Sequence, residues 1–79
     1  LSDSSIEILK LLQDGALSGN KIFEGIKLSN HSMNRKRHIE PLIQNGVIAY
    51  TIPENPKHRN QRYSLTNLGH EFLVVVLGF

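Results

Sequence analysis

Apolar residues recur at helical spacing near the start of the chain. Ile6, Leu9 and Leu12 fall on one face of a helix, and neighbouring apolar residues widen that stripe. The stretch that begins at Ser4 has the form of a capping box, and Gly15 supplies a left-handed stop. The pattern therefore predicts a first helix that begins at Ser4 and ends just before Gly15.

A second, shorter helix follows after a small link. Ile22, Phe23 and Ile26 give it an apolar face, and the side chain of Asn20 is suited to cap its first turn. We expect a tight turn after this helix, with the next helix beginning at about Asn30.

The third helix is predicted over about Asn30–Asn45, with Gly46 as its C-terminal stop. Because proline removes a backbone hydrogen bond and collides with the preceding turn, Pro41 predicts either a kink or a helix that restarts around Glu40. A straight helix would point Ser32, Arg35 and Lys36 partly inward, where a small core cannot hold two unpaired cations. Either the helix projects beyond the body or Pro41 resets its phase, and the sequence leaves both open.

After the third helix the pattern changes to that of strands. β-Branched and aromatic residues over Val47–Ile52 predict one strand and Arg62–Leu65 a second, joined by a polar loop over Pro53–Gln61. The two strands form a hairpin, and we expect the Ala16–Ser18 link to pair with it as a third strand. Thr66 is suited to cap a last helix.

The predicted order is helix, helix, helix, strand, long loop, strand, helix. This order indicates a winged helix-turn-helix, which is mainly α with a small β-hairpin: a three-helix core, the hairpin as wing, and an extra C-terminal helix. A length of 79 residues fits a single domain over residues 1–79. The chain has no cysteine, so the fold must hold by packing alone.

Positive charge is concentrated in one part of the chain. Six Lys and Arg face two Glu between Asn30 and Tyr63, whereas the remainder is acidic. Such a run is commonly a solvated face, but here it coincides with the helix that would enter a DNA major groove and the wing that would reach the backbone. We predict duplex DNA binding by a recognition helix over about Asn30–Asn45 and a basic wing over about Pro53–Arg62. The predicted DNA-binding residues are Asn30, His31, Asn34, Arg35, Lys36, Arg37, His38, Lys57, His58, Arg59 and Arg62.

Three motifs resemble those of a known family. They are Pro41-Leu42 within the third helix, Thr51-Ile52-Pro53 at a strand end, and the return Gln61-Arg62-Tyr63-Ser64-Leu65-Thr66. Together they resemble the winged-helix domain that closes many bacterial Fic-family proteins and Schlafen/AlbA-type divergent-ATPase transcriptional regulators. The resemblance implies a DNA-binding or regulatory appendage, with basic residues on the recognition helix and in the wing. Asn34 departs from it, because members usually have an aromatic or apolar residue there.

An unbroken apolar run of six residues, Phe72–Leu77, supports a different function. A core this small cannot cover the whole run, so we expect part of it to meet a second copy, the parent protein or another partner. The plainer alternative is that the last helix only packs against the first helix, and we expect both contacts to occur. The predicted dimerisation residues are Phe72, Val75 and Val76. The alternative function is therefore a protein-interaction or dimerisation module appended to a Fic-type or ATPase-type enzyme, which is compatible with DNA binding.

Catalytic and metal-binding patterns are weak. His31 and His38 are seven residues apart with no carboxylate or thiolate placed to complete a metal site, and no phosphate loop or nucleophile elbow occurs. We expect a non-enzyme with no cofactor and no metal. The apolar run is far shorter than the roughly twenty residues that span a bilayer. The residues that follow Leu1 lack the charged, apolar and small-residue sections of a signal peptide. We therefore expect a piece of a larger cytoplasmic protein with no membrane partner.

Overall fold

A computed structural model describes residues 2–78. The chain is mainly helical with one two-stranded antiparallel hairpin, as predicted, in a winged-helix-like arrangement. In chain order the elements are α1 (Asp3–Leu11), a 3₁₀ turn (Leu12–Asp14), α2 (Gly19–Ile26), α3 (Ser32–Asn34), a π-helical turn (Arg35–Ile39), α4 (Glu40–Gln44), β1 (Ile48–Tyr50), β2 (Tyr63–Leu65) and α5 (Asn67–Leu77).

The hairpin pairs Tyr50 with Tyr63, and the link before α2 adds a third pairing. Leu17 and Tyr63 exchange backbone hydrogen bonds, Tyr63 N donating to Leu17 O at 2.8 Å and Leu17 N to Tyr63 O at 3.0 Å. The expected pairing of the link with the hairpin is thus confirmed as a single bridge beside a two-stranded sheet. β1 is shorter than the predicted strand because the Gln61 side chain, not a partner strand, takes the N–H and C=O groups of Ile52.

Two predicted helix caps are wrong. The hydroxyl of Ser2, not of Ser4, caps α1 and accepts from Ser5 N at 3.2 Å. Ser18, not Asn20, caps α2 and accepts from Lys21 N at 3.2 Å. In both cases the capping serine has extended backbone dihedrals, which an N-cap requires, whereas the predicted residue lies within the helix.

The predicted third helix is a composite of α3, the π-helical turn and α4, together residues 32–44. Within it, Glu40 N donates to the carbonyl of Arg35, five residues back, as in a π-helix. The wide turn stands immediately before Pro41, whose ring would collide with the carbonyl of Arg37 in a regular α-helix. The predicted restart at Glu40 is confirmed. The π turn also shifts the helical phase, which leaves Lys36 exposed and Arg35 only half-buried.

The core lies between α1, α2, α4, the hairpin and α5. Ile8, Leu9, Phe23, Leu42 and Leu73 are almost completely buried in it. Each such apolar side chain contributes roughly 1.5–3 kcal/mol relative to exposure. The buried residues of α1 are Ser5, Ile8 and Leu9, whereas the predicted anchor of that helix at Ile6 is only half-buried.

α5 approaches the hairpin closely at Gly69. A Cβ at this position would collide with the carbonyl oxygen of Val47 and lie 2.6 Å from Leu65 Cδ1. Thr66 caps the helix as predicted, accepting from Gly69 N at 3.1 Å. Among the helices within residues 2–78, none has the length and apolar character to cross a membrane.

Candidate functional site

The predicted DNA-binding residues occupy the third helical segment and the long hairpin loop, residues 51–62, which we call the wing loop. Lys36 and Arg37 project from the π-helical turn, and Lys57 and Arg59 from the wing loop, all four exposed to solvent. The other exposed members of the set are Asn30, His31 and Arg62, and the half-buried members are Asn34, Arg35, His38 and His58.

Arg35 is held in place by a chain of side-chain hydrogen bonds. Its Nη1 donates to Asn30 Oδ1 at 2.8 Å, and Asn30 Nδ2 donates in turn to Asn20 Oδ1. The guanidinium is therefore fixed beside the first turn of α2. Sequence reasoning placed Asn20 as a helix cap and missed this contact, because it joins residues ten positions apart in the chain.

Asn34 also has a structural partner. Its side-chain amide donates to the carbonyl oxygen of Ser29 at 2.7 Å, while His31 Nδ1 caps α3 by accepting from Asn34 N at 3.4 Å. These bonds close the turn between α2 and α3. A polar residue at this position is thus explained by the turn, where the resembled family usually has an apolar or aromatic residue.

The wing loop is built from successive turns tied together by Gln61. Gln61 Oε1 accepts from Ile52 N at 2.9 Å, and its Nε2 donates to Ile52 O at 2.7 Å and Asn55 O at 3.0 Å. Further along, Asn60 N donates to His58 Nδ1 at 3.0 Å. Gln61 is buried although it is polar, which no pattern in the sequence indicates. It gives the loop a fixed conformation.

A surface pocket of about 480 Å³ lies where the wing loop faces the first turn of α2; we call it the basic pocket. Arg35 and Asn30 contribute from one side and Lys57, His58 and Arg59 from the other. No Asp or Glu lines it among the described residues. The pocket therefore brings together five of the eleven predicted DNA-binding residues, and the other six lie outside its lining: His31, Asn34, Lys36, Arg37, His38 and Arg62.

An adjoining groove of about 300 Å³ runs between the third helical segment and the hairpin. Lys36, Glu40 and Tyr50 line it, and it shares Arg35 with the basic pocket. The rings of Tyr50 and Tyr63 meet at a centroid distance of 5.5 Å and a tilt of 43°. Burial, and secondarily Tyr50, raises the pKa of the Tyr63 hydroxyl above 10.0, against an opposing effect of Arg35.

The last helix presents a second candidate surface. Leu73 is buried, and Phe72 is half-buried against the core. Val74, Val75 and Val76 are exposed, Val75 at 81%. The predicted apolar surface is therefore present at Val75 and Val76, whereas Phe72 lies at its edge.

Within residues 2–78, three further large apolar side chains outside the Phe72–Leu77 run are exposed. Leu68 on α5 is 52% exposed, Met33 on α3 is 63% exposed, and Leu28, which the sequence pattern assigns to the core, is 39% exposed. An apolar residue within a helical pattern is ordinarily assigned to the core, so no sequence signal distinguishes them.

A family model decides the relationship. The model described as "Filamentation induced by cAMP protein Fic-like, C-terminal domain" matches residues 3–66, which is most of the chain. The chain belongs to this family. The Fic part of the predicted resemblance is confirmed, and the Schlafen/AlbA part stays a prediction.

One solved structure extends the match to three dimensions. The chain is similar to part of the crystal structure of a Fic family protein from Desulfovibrio desulfuricans G20, with a TM-score of 0.77 and 27% sequence identity. The similarity covers 85% of this chain and 21% of that one, so this Fic-like C-terminal domain corresponds to about a fifth of the longer protein. No curated protein matches the sequence.

Proposed function

We propose that this chain is a non-catalytic interaction module appended to a Fic-type protein, and that it pairs with a second copy through one face of α5. Exposure of Val75 in the middle of an apolar stripe is the observation that carries the proposal. Membership of the Fic-like C-terminal domain family supports the appended position.

The stripe follows from helical geometry. Leu68, Phe72, Val75 and Val76 are four, seven and eight residues apart and therefore lie on one face of α5. The four stripe residues are uncharged, and exposed Glu71 lies at the border of the stripe, one turn before Val75. The same apolar patch on two copies can therefore meet across a two-fold axis. Burial of each exposed aliphatic side chain against its counterpart would contribute roughly 1.5–3 kcal/mol.

The test compares two substitutions on the same helix. Val75→Glu places a charge in the stripe, and Val74→Glu places the same charge about 100° around the helix from it. We expect the wild type and Val74→Glu to sediment as dimers at tens of micromolar and Val75→Glu as a monomer of unchanged helicity by circular dichroism. A monomeric wild type, or equal dissociation of both variants, would contradict the proposal.

Duplex DNA binding is a second candidate, favoured by one specific observation. Lys36 from the π-helical turn and Lys57 from the wing loop line the same groove as Arg35, so among the described lining residues three cations face one carboxylate, that of Glu40. A helix and a wing that present cations to a common groove are the two elements with which winged helices contact the major groove and the adjacent backbone.

A salt series tests this candidate. Binding through about half a dozen cations gives a slope of about −5 for log affinity against log salt, since each neutralised phosphate contributes about 0.9. Arg37→Ala should weaken preferred sequences most, by roughly 1–3 kcal/mol, whereas Arg59→Ala should weaken all sequences alike. Absence of binding at low salt would leave the interaction module as the function, and equal losses from both variants would remove the recognition-helix assignment.

A further inference from the structure

The geometry points to the basic pocket as a binding site for a phosphate group, with Arg35 as its principal ligand. Arg35, Lys57 and Arg59 bring positive charge to its wall from two separate segments of the chain. No carboxylate among the described lining residues neutralises that charge. An anion is therefore the chemically complementary occupant.

Arg35 is organised for this role before any ligand arrives. Only one of its terminal nitrogens, Nη1, donates to Asn30, at 2.8 Å. A guanidinium carries five N–H donors in a planar fork, so others are left to meet phosphate oxygens. Because Asn30 is itself held by Asn20, little rotamer entropy is lost when the ligand binds.

The wing side of the pocket is equally fixed. Gln61 ties the backbone of the wing loop at Ile52 and Asn55, and so sets where Lys57 and Arg59 leave the loop. His58 accepts from Asn60 through Nδ1, which leaves Nε2 as the nitrogen able to donate. The pocket thus offers several donors from preformed elements, as multi-oxygen anions require.

The shared chemistry is that of a phosphate oxyanion, supplied by a nucleic-acid backbone or by a small phosphorylated molecule. The inference does not depend on pairing through α5. It sharpens the DNA candidate by naming a phosphate subsite, but it would hold for a small ligand even if that candidate failed.

The experiment is an NMR titration of the 79-residue chain with pyrophosphate at constant ionic strength, followed by one with a short DNA duplex. We expect saturable shifts of the Arg35 Nε–H and of the Gly19 and Arg59 amides. Arg35→Gln should weaken pyrophosphate binding about tenfold, whereas Lys27→Gln should change it by less than about twofold, because Lys27 is an exposed cation outside both the pocket and the predicted DNA-binding set.

Asn30→Ala provides a variant that changes no charge. It should weaken pyrophosphate binding and move the Arg35 guanidinium signals toward those of an exposed arginine, a signature that general destabilisation would not produce. If Arg35→Gln fails to fold by circular dichroism, Asn30→Ala decides the matter.

The outcomes separate the inference from the proposed functions. Non-saturating shifts, or equal weakening of pyrophosphate binding by Arg35→Gln and Lys27→Gln, would overturn the phosphate site even if duplex binding persisted through exposed cations. Duplex that displaces pyrophosphate from the pocket supports a backbone phosphate as the source. Pyrophosphate binding that duplex leaves untouched supports a small phosphorylated ligand.

Discussion

The wing loop and α5 adjoin β2 on its two sides in the chain, and they are held by different means. The wing loop is fixed by hydrogen bonds from one buried polar side chain, Gln61, to backbone groups. α5 is fixed by packing, because Leu73 enters the core and Gly69 lets the helix backbone approach the carbonyl oxygen of Val47.

This difference extends to what each segment presents outward. The wing loop exposes Lys57 and Arg59, and α5 exposes Val75 and Val76. In both segments the residues that provide support are distinct from those that face solvent. Surface substitutions should therefore alter binding without unfolding the chain, and substitutions at the supports should lower stability.

The largest expected effect tests the packing of α5. Leu73→Ala should lower the free energy of unfolding by about 2–5 kcal/mol, because it leaves a cavity in the core. Val74→Ala, which truncates an exposed side chain one residue along the same helix, should change it by less than about 0.5 kcal/mol. Denaturant unfolding at matched protein concentration measures both, and similar values for the two would mean that α5 is not seated through Leu73.

A second test concerns the close approach at Gly69. Gly69→Ala should lower the free energy of unfolding by about 1–3 kcal/mol, since the new methyl group meets Leu65 and the Val47 carbonyl. Gly19→Ala is the matched control, because its Cβ would lie an ordinary 3.5 Å from Asn30 Nδ2. Thermal melting should show a lower Tm for the first variant only; an unchanged Tm would show that α5 can shift to make room.

Most of the fold can be predicted from the sequence, but the exact ends of two helices cannot. Periodicity and turn residues predict the helices and the hairpin, and the order of elements predicts the pairing at Leu17. Thr66 caps α5 in the structure, as the sequence predicts. The predicted caps of α1 and α2 are wrong because the competing residues, Ser2 and Ser4 in one case and Ser18 and Asn20 in the other, have side chains equally suited to capping. Which of them caps depends on where packing begins the helix.

The candidate site is harder to predict from the sequence than the fold is. Concentrated positive charge indicates an anionic partner, but the contact of Arg35 with Asn30, and of Asn30 with Asn20, depends on how α2 and the third segment meet. The phase of that segment depends on the π-helical turn before Pro41. The wider turn avoids the clash of the proline ring with the preceding turn while Ile39 stays buried. Pro41 predicts from the sequence that the helix restarts at Glu40, whereas the π form of the turn and the contacts of Arg35 depend on tertiary packing.

The hydrogen-bonded support of the wing loop gives a smaller expected effect. Gln61→Glu keeps an acceptor for Ile52 N but loses both donations from Nε2. We expect a loss of about 1 kcal/mol, because the loop can open and let water satisfy the freed carbonyls. Hydrogen exchange at Ile52 should accelerate markedly. Gln44→Glu, the same change at an exposed helical position, should leave that exchange rate unaltered.

The smallest expected effect on stability is at Tyr63, the first residue of β2 after the wing loop. Burial raises the pKa of its hydroxyl above 10.0, so as pH rises the unfolded chain releases this proton before the folded chain does. The contribution to stability is fully present below the unfolded-state pKa and is lost as pH rises through the folded-state pKa. Denaturant unfolding between pH 8 and about pH 11 should therefore show a steeper decline for the wild type than for Tyr63→Phe. Groups that do not interact with Tyr63 titrate in both proteins and cancel in that difference. Parallel declines would mean that the Tyr63 hydroxyl is as well solvated in the folded chain as in the unfolded one, and that the wing loop does not shield it from water.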